Sequence, residues 1–331
     1  MEPTIELQQV FFNTLKNTLP PHISMVDEIA EILNISYDSV YRRIRGEKPI
    51  SISELKVLCD HYHISFDQVL QLQNDNVVFQ APGINLEGIT FLDYLKGMLQ
   101  QVKYFNSFKQ KQMLYFCKDM IFFQFYLFPE IAAFKTFFWI KTIQNNPEYN
   151  HSLFSLKEFP FHECLSIGQQ ILEEYNQIAS VELWNFESVN STISQIQYYR
   201  DSGIFASDED LELVIRSLEK TLDHILLQAE RGTKFMPGEE NIPTHARLQF
   251  YVNEVVIGNN TIMLELDGTR LSTITYSVFG YLMTKDERFN QNVFNSFKTV
   301  LSRSTLISGT GERERNKFFR SLRERVQHLR K

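Results

Sequence analysis

The chain has 331 residues, which is enough for two or three domains, and 43% of them are hydrophobic, as a folded core requires. Its formal net charge of −7 argues against a protein that coats nucleic acid, and its three cysteines lack a Cys-x-x-Cys pair, which favours reduced thiols. The sequence shows no apolar leader, and its apolar runs are much shorter than the ~20 residues that a membrane helix needs. We therefore expect a cytoplasmic protein with no membrane partner.

Residues 24–72 carry a regular series of helix starts and stops. Ser24 can cap a first helix, which ends at a turn formed by Asn34. Ser36 can cap a second helix, which Gly46 ends. Two further helices are predicted by capping boxes, Ser51-x-x-Glu54 and Ser65-x-x-Gln68.

This order of helices resembles the lambda-repressor/Cro (Xre-type) helix-turn-helix family over about the first quarter of the chain. Asn34 stands where the family has a turn glycine, and asparagine tolerates the left-handed backbone that this turn needs. Val40 matches the inward position of the second motif helix. Arg43 stands at a usually apolar position, so we expect Ile44 to take the core role and Arg43 to face outward. The resemblance implies a five-helix DNA-binding domain in residues 1–75.

The resemblance also implies that the second motif helix enters the major groove with its N-terminal residues at base edges. For the acidic side chain of this helix a second interpretation stays open, in which it only complements the positive helix N-terminus. Base contacts are expected from Tyr37, Asp38, Tyr41 and Arg42. The predicted DNA-binding set is completed by Arg43, Arg45 and Lys48 at phosphates and by Ser36.

The region after this domain is predicted to be a linker, residues 76–89, followed by an all-helical domain, residues 90–235. The helix that begins at Pro129 is apolar nearly all round, so it should be buried. Ser207 can cap a later helix with a strong apolar stripe, which forms either a dimer seam or internal core. That stripe is Leu211, Val214, Leu218, Leu222 and Ile225.

Aromatic side chains are concentrated between residues 122 and 139. Such a cluster either encloses an effector pocket or forms plain core, and the sequence leaves both interpretations open. The candidate pocket residues are Phe122, Phe125, Tyr126, Phe134, Phe138 and Trp139.

Residues 236–331 change from helical to alternating periodicity, which indicates strands. The Asp267-Gly268 pair is a hairpin signal between two alternating runs. A helix over about 286–301 and a basic amphipathic helix over 312–330 follow. The predicted class is therefore mainly α, with a small C-terminal α+β part built on an antiparallel meander.

The function is predicted from this organisation. No Gly-x-Gly-x-x-Gly, phosphate-loop, Gly-x-Ser-x-Gly or His-Glu-x-x-His motif is present, so we expect no enzyme, no cofactor and no metal. The pattern favours a bacterial transcriptional regulator, a homodimer that binds a double-stranded DNA operator. Its effector can be a small molecule, a peptide or a protein. Two alternatives stay open: a peptide-sensing regulator with a helical-repeat body, and a protein-interaction module that does not bind DNA.

Overall fold

The structure is a computed structural model that describes residues 3–19, 23–62, 64, 77–81, 89–239, 246–254 and 258–330. The chain divides into two compact units, Met1–Val78 (unit 1) and Phe79–Lys331 (unit 2). The helix predicted to begin at Ser65 lies outside the described residues, as do residues 76 and 82–88 of the predicted linker.

Unit 1 is helical in its described part. Ser24 and Ser36 accept hydrogen bonds from backbone N–H groups in the first turns of α2 and α3, as predicted. Asn34 ends α2 in the left-handed conformation, with a φ of 52°. Reciprocal hydrogen bonds between Ser51 and Glu54 start α4. The helices are α1 (Pro3–Thr18), α2 (Met25–Leu33), α3 (Tyr37–Ile44) and α4 (Ile52–Tyr62).

Helix α1 closes the core of unit 1 and fixes the end of α3. The Gln8 side chain donates to the carbonyl oxygens of Arg43 and Lys48 and accepts from the backbone N–H of Ile50. These bonds hold the turn that joins α3 to α4, so the position of α3 depends on α1. The buried core consists of Phe11, Phe12, Leu15, Ile29, Val40 and Leu58.

The described residues of unit 2 form a mixed sheet in the order β6-β5-β4-β1-β2-β3-β7. The adjacent strands β1, β2 and β3 are parallel, and the other strands add to them in antiparallel pairs. The strands are β1 (Lys111–Cys117), β2 (Ala179–Trp184), β3 (Leu248–Val252), β4 (Thr261–Leu266), β5 (Thr269–Thr275), β6 (Tyr281–Thr284) and β7 (Thr305–Leu306).

The prediction that residues 90–235 form an all-helical domain is wrong, because β1 and β2 lie in that segment. Both are short, mostly buried runs, and periodicity alone does not distinguish such a strand from a piece of buried helix. The amphipathic stretch from Trp184 to Tyr199, which predicts a helix by its periodicity, begins with the last residue of β2, and the helix itself starts only at Asn190. The strands after residue 246 join this sheet, since β3 pairs with β2 and β4 with β1. The mainly helical class and the β4-β5-β6 meander agree with the prediction.

Helices cover both faces of the sheet. The larger core lies on one face, whereas Phe297 of α10 packs with Leu114, Val181 and Met263 on the other. No helix among the described residues has the length and hydropathy that crossing a bilayer requires. The helices are α5 (Phe91–Asn106), α6 (Pro129–Phe138), α7 (His162–Tyr175), α8 (Asn190–Asp201), α9 (Asp208–Arg231), α10 (Glu287–Leu301) and α11 (Glu312–Gln327).

The apolar stripe of α9 belongs to the interior of unit 2. Val214, Leu218, Leu222 and Ile225 are fully buried in the larger core, and Leu211 packs against it half-buried. The interpretation of this stripe as a dimer seam is therefore wrong, and internal packing is correct.

The basic terminal helix α11 docks within the same unit. Its apolar residues Phe318, Phe319, Leu322 and Val326 are buried, and two cations, Arg323 in the helix and Arg330 just after its end, pair with acidic residues of α9. Arg323 lies 2.6 Å from a carboxylate oxygen of Asp223, and Arg330 lies 2.7 Å from one of Glu219. Buried Arg315 donates to the carbonyl oxygen of Ile307. Part of the basic charge of α11 is thus engaged inside unit 2.

Candidate functional site

The exposed face of α3 carries most of the predicted DNA-binding residues. Tyr37 is 58% exposed and Tyr41 is 51% exposed, and their spacing of four residues places them on the same side of the helix. Both phenol rings are therefore exposed on the side of α3 that also carries exposed cations. The other exposed members of the predicted set are Ser36, Asp38, Arg42, Arg45 and Lys48.

Arg43 does not belong to this surface, so its predicted outward position and phosphate contact are wrong. Its side chain is 3% exposed and lies against Glu54, with one nitrogen–oxygen distance of 2.5 Å and a second of 3.3 Å. A third donor reaches the carbonyl oxygen of Ser39. A buried guanidinium is tolerated only when its charge and donors are paired, and Glu54 supplies that pairing. Ile44 is only partly buried at the edge of the core.

Glu54 has a double role, since the same carboxylate caps α4 through the backbone N–H of Ser51. Partial burial alone would raise the pKa of Glu54. The hydrogen bonds from Arg43 and Ser51 outweigh burial and hold this pKa below its usual value. The carboxylate therefore stays charged and continues to hold Arg43 inward.

Two of the outward cations, Arg42 and Arg45, lie near the same carboxylate. Glu47 lies 3.9 Å from Arg42 and 3.2 Å from Arg45, and all three side chains are about half exposed. Exposed ion pairs of this kind contribute little free energy, so both arginines can exchange Glu47 for another anion.

A second candidate site is a cavity of about 410 Å³ inside unit 2. This volume falls within the ~300–1,000 Å³ range of small-molecule pockets. Its wall combines residues of α5, β1, α6, α8, β4 and β5 with the loop that follows β1. Of the predicted pocket residues, it includes Phe122, Phe125 and Trp139.

The other three predicted pocket residues, Tyr126, Phe134 and Phe138, do not line this cavity but belong to the core. Phe134 stacks on Phe205 with ring centroids 5.7 Å apart, and Phe138 contacts Tyr199 at 5.3 Å. The reason is helical geometry. Phe134 and Phe138 are four residues apart and share one face of the helix, whereas Lys135 and Trp139, one position further on, share the face toward the cavity.

Lys135 is the wall residue that sequence reasoning missed. It is 3% exposed, its Nζ donates to Oε1 of Gln195 at 2.6 Å, and it lies 4.2 Å from the ring centroid of Phe125 and 4.9 Å from that of Trp139. Burial lowers the pKa of Lys135 to about 7, with Asp119 opposing the shift. Among the described residues, none places a carboxylate within ion-pair distance of it. The sequence contains one signal for this residue: Lys135 is the one lysine in a helix that is otherwise apolar nearly all round.

The remaining polar wall groups are held by local hydrogen bonds. Gln195 also donates to the hydroxyl of Ser191, and the Tyr281 hydroxyl donates to Gln101 at 3.1 Å. The backbone N–H of Asp119 donates to the side chain of Asn260. Asp119 is the one acidic residue among the described residues of the wall. The cavity is thus aromatic, with a single buried cation and a small set of oriented amides.

Comparison with known proteins gives one match. The profile of a family described as the BetR domain matches residues 13–95, about a quarter of the chain. This segment includes α2, α3 and α4 and reaches the beginning of α5. No curated protein and no solved structure matches the chain.

Proposed function

We propose that this chain is a sequence-specific DNA-binding transcriptional regulator, in which unit 1 binds an operator and unit 2 responds to an effector. The observation that carries the proposal is the solvent-facing surface of α3, where two exposed tyrosines lie beside three exposed cations. The helix behind this surface is fixed by its Ser36 cap and by the buried Arg43–Glu54 pair.

We assign base contacts and phosphate contacts according to the position of each residue along α3. N-terminal residues of such a helix reach base edges, which assigns base contacts to Tyr37, Asp38 and Tyr41. A carboxylate such as that of Asp38 can accept from a cytosine amino group. Arg42, expected from the sequence to contact a base, lies in the last turn of α3, so we assign it to phosphates together with Arg45 and Lys48, which follow the helix. Phosphate contacts provide affinity without sequence information.

A salt-dependence experiment tests this assignment. A duplex is first selected from a random pool by the full-length protein, and its affinity is then measured at several salt concentrations. The triple variant Arg42→Ala, Arg45→Ala, Lys48→Ala should bind weakly, and its slope of log affinity against log salt should be shallower by up to ~2.7, at ~0.9 for each lost phosphate contact.

The matched control for this experiment is Lys56→Ala, which removes an exposed lysine of α4 in the same unit. It should leave both the affinity and the slope unchanged. If the triple variant keeps the wild-type slope, or if the control loses as much as the triple variant, the assignment of α3 is wrong.

We also propose that the DNA-bound form is a homodimer, because one such motif reads one half-site and two half-sites about 34 Å apart make an operator. The interface cannot be the stripe of α9, which is buried inside unit 2. Sedimentation at micromolar concentration, with and without the selected duplex, tests this point. A monomer under both conditions contradicts it.

A second candidate function is a module that binds a protein through the same face. Exposed tyrosine and arginine side chains are enriched at the centres of protein interfaces, which is the composition found on α3. Failure to enrich any duplex from the random pool would favour this function over DNA binding. The alternative of a peptide-sensing regulator requires a body made of helical repeats. Unit 2 is organised around a mixed sheet, so it gives this alternative less support.

A further inference from the structure

We propose that the cavity of unit 2 binds a small organic monoanion, a carboxylic acid with an aromatic or other apolar body, and that its carboxylate pairs with the ammonium of Lys135. The inference names the chemical class of the effector and rests on the proposed function only for its regulatory meaning.

The missing counter-ion is the first argument. Lys135 is buried and lies in the cavity wall, and one of its three donors is used by Gln195. Desolvating an ammonium costs free energy unless an anion compensates it. Asp119 of the same wall offsets part of this cost, but no carboxylate of the described residues lies within ion-pair distance of Lys135. A ligand carboxylate in the cavity would supply the charge-assisted hydrogen bond that the fold leaves out.

The walls of the cavity argue for an apolar body on the ligand. Phe122 stacks on Trp139 with ring centroids 4.8 Å apart, and Met98 and Ile262 complete an apolar surface. Trp139 itself begins a turn of π-helix that extends α6 to Ile143, a feature often found at functional sites.

The charge balance of the wall argues against other ligand classes. A dianion such as phosphate would face Asp119 as well as Lys135, so the single buried cation suits a single negative charge. A cationic ligand would need the ring faces of Phe125 and Trp139, which Lys135 already occupies. It would also be repelled by that ammonium.

The same geometry makes binding pH-dependent. Burial raises the pKa of the wall tyrosines Tyr94, Tyr115 and Tyr281, so they remain neutral around pH 7. Lys135 loses its proton above about pH 7 in the free protein, and a carboxylate must then bind together with a proton. Acid affinity should therefore fall by up to about ten-fold per pH unit above that value. The other charged or titratable groups on the wall are Lys118, Asp119 and Tyr276.

The experiment is calorimetry on the full-length protein without DNA, at about pH 7. The probes are 3-phenylpropionate, indole-3-acetate and octanoate, each compared with its neutral amide. At least one acid should bind about ten-fold or more tightly than its amide, since a charge-assisted hydrogen bond is lost with the amide. Equal binding of acid and amide, or no binding of any acid at millimolar concentration, would overturn the proposal.

Two variants locate the charge that the acid recognises. Lys135→Met keeps the length of the side chain, removes its charge and should bring acid affinity down to that of the amide. Lys118→Met removes an exposed lysine from the same wall and should leave the preference intact. A preference that survives in Lys135→Met would overturn the assignment. If Lys135→Met does not fold, the wild-type pH series decides: acid affinity must fall above about pH 7 while amide affinity stays constant.

These measurements separate this inference from the proposed function. An acid that binds through Lys135 but leaves DNA affinity unchanged upholds the site and contradicts the regulatory role of unit 2. If the wild-type protein selects no duplex, the proposed function is contradicted and the acid site still stands.

Discussion

Helix α3 of unit 1 and helix α6 of unit 2 each bury one cation, and they satisfy it differently. Arg43 faces the carboxylate of Glu54, with a closest nitrogen–oxygen distance of 2.5 Å. Lys135 has an amide oxygen and two aromatic rings around its Nζ, and no carboxylate among the described residues lies within ion-pair distance. The first charge has its counter-ion within the fold, whereas the second has no ion-pair partner among the described residues.

The choice of side chain explains this difference. A guanidinium does not lose its proton in a protein, so a buried arginine needs a permanent partner. An ammonium can be discharged, and burial lowers the pKa of Lys135 to about 7. Arg43 is therefore suited to a permanent structural role in α3, whereas Lys135 is suited to the change of charge that the proposed ligand site requires.

The largest effect is expected when the buried ion pair of Arg43 and Glu54 is broken. Glu54→Ala leaves the guanidinium of Arg43 buried without its counter-ion and removes one of the two reciprocal hydrogen bonds that cap α4. Breaking a buried pair in this way costs ~3–5 kcal/mol, so unit 1 should be strongly destabilised. Hydrogen exchange at the amides of α3 and α4 measures this loss. Both tryptophans of the chain lie in unit 2, so their fluorescence reports whether that unit is unaffected.

The control for this variant is Glu47→Ala, which removes the carboxylate near the exposed Arg42 and Arg45 and should leave exchange in α3 and α4 nearly unchanged. A pH series adds a second check. The pKa of Glu54 is lowered in the folded state, so its stabilising contribution is present above its usual pKa of 4.5 and is lost as the pH falls below it. Equal exchange in Glu54→Ala and Glu47→Ala would contradict the structural role of Arg43.

Local signals in the sequence predicted much of unit 1. The side chains of Ser24, Ser36 and Ser51 act on backbone groups three residues away, so their caps are visible without knowledge of the fold. The placement of Arg43 could not be predicted in this way. Its inward orientation depends on Glu54, eleven residues later, and single-residue polarity pointed to the surface.

The sheet and the cavity of unit 2 depend on contacts between distant parts of the chain. β1 pairs with β2 and with β4, and the register of these pairs is set by segments more than sixty residues away along the sequence. The aromatic cluster was recognisable, but which of its faces borders a cavity was decided by packing. The spacing of four residues does separate the face of Lys135 and Trp139 from the face of Phe134 and Phe138, and the lysine marks the more polar of these two faces.

The second expected effect concerns Lys135, the buried cation without an ion-pair partner among the described residues. Lys135 has a pKa of about 7 in the folded protein and ~10.4 when unfolded, so between these values the unfolded state binds more protons. Stability should rise with pH there, by at most ~1.4 kcal/mol per pH unit. Urea unfolding followed by tryptophan fluorescence should show any advantage of Lys135→Met over wild type shrinking as pH rises. Parallel pH curves for the two proteins would contradict it. Because Lys234 also has a pKa of about 7, only the difference between the two proteins is informative.

A third effect tests whether the surface of α3 reads sequence. Tyr37→Ala should weaken binding to the selected duplex by ~1–3 kcal/mol while changing binding to random duplex much less, since a base contact carries discrimination. Competition between the two duplexes measures the ratio directly. Tyr104→Ala, which truncates an exposed tyrosine of unit 2, is the matched control. Equal losses on both duplexes would mean that Tyr37 positions the helix instead of reading bases.

The smallest effect is expected at Glu47. This carboxylate lies near Arg42 and Arg45 and must give them up when phosphates bind. Glu47→Gln removes that competition and one negative charge, so affinity for any duplex should rise by ~0.2–1 kcal/mol, most clearly at low salt. Asp60→Asn, which removes the partner of Lys56 on α4, should change DNA affinity less because it lies off the α3 surface. If the two variants gain equally, the net charge of the protein alone determines DNA affinity. The proposed role of the α3 surface in DNA binding, which is one side of the comparison with the buried Lys135 site, would then lose its support.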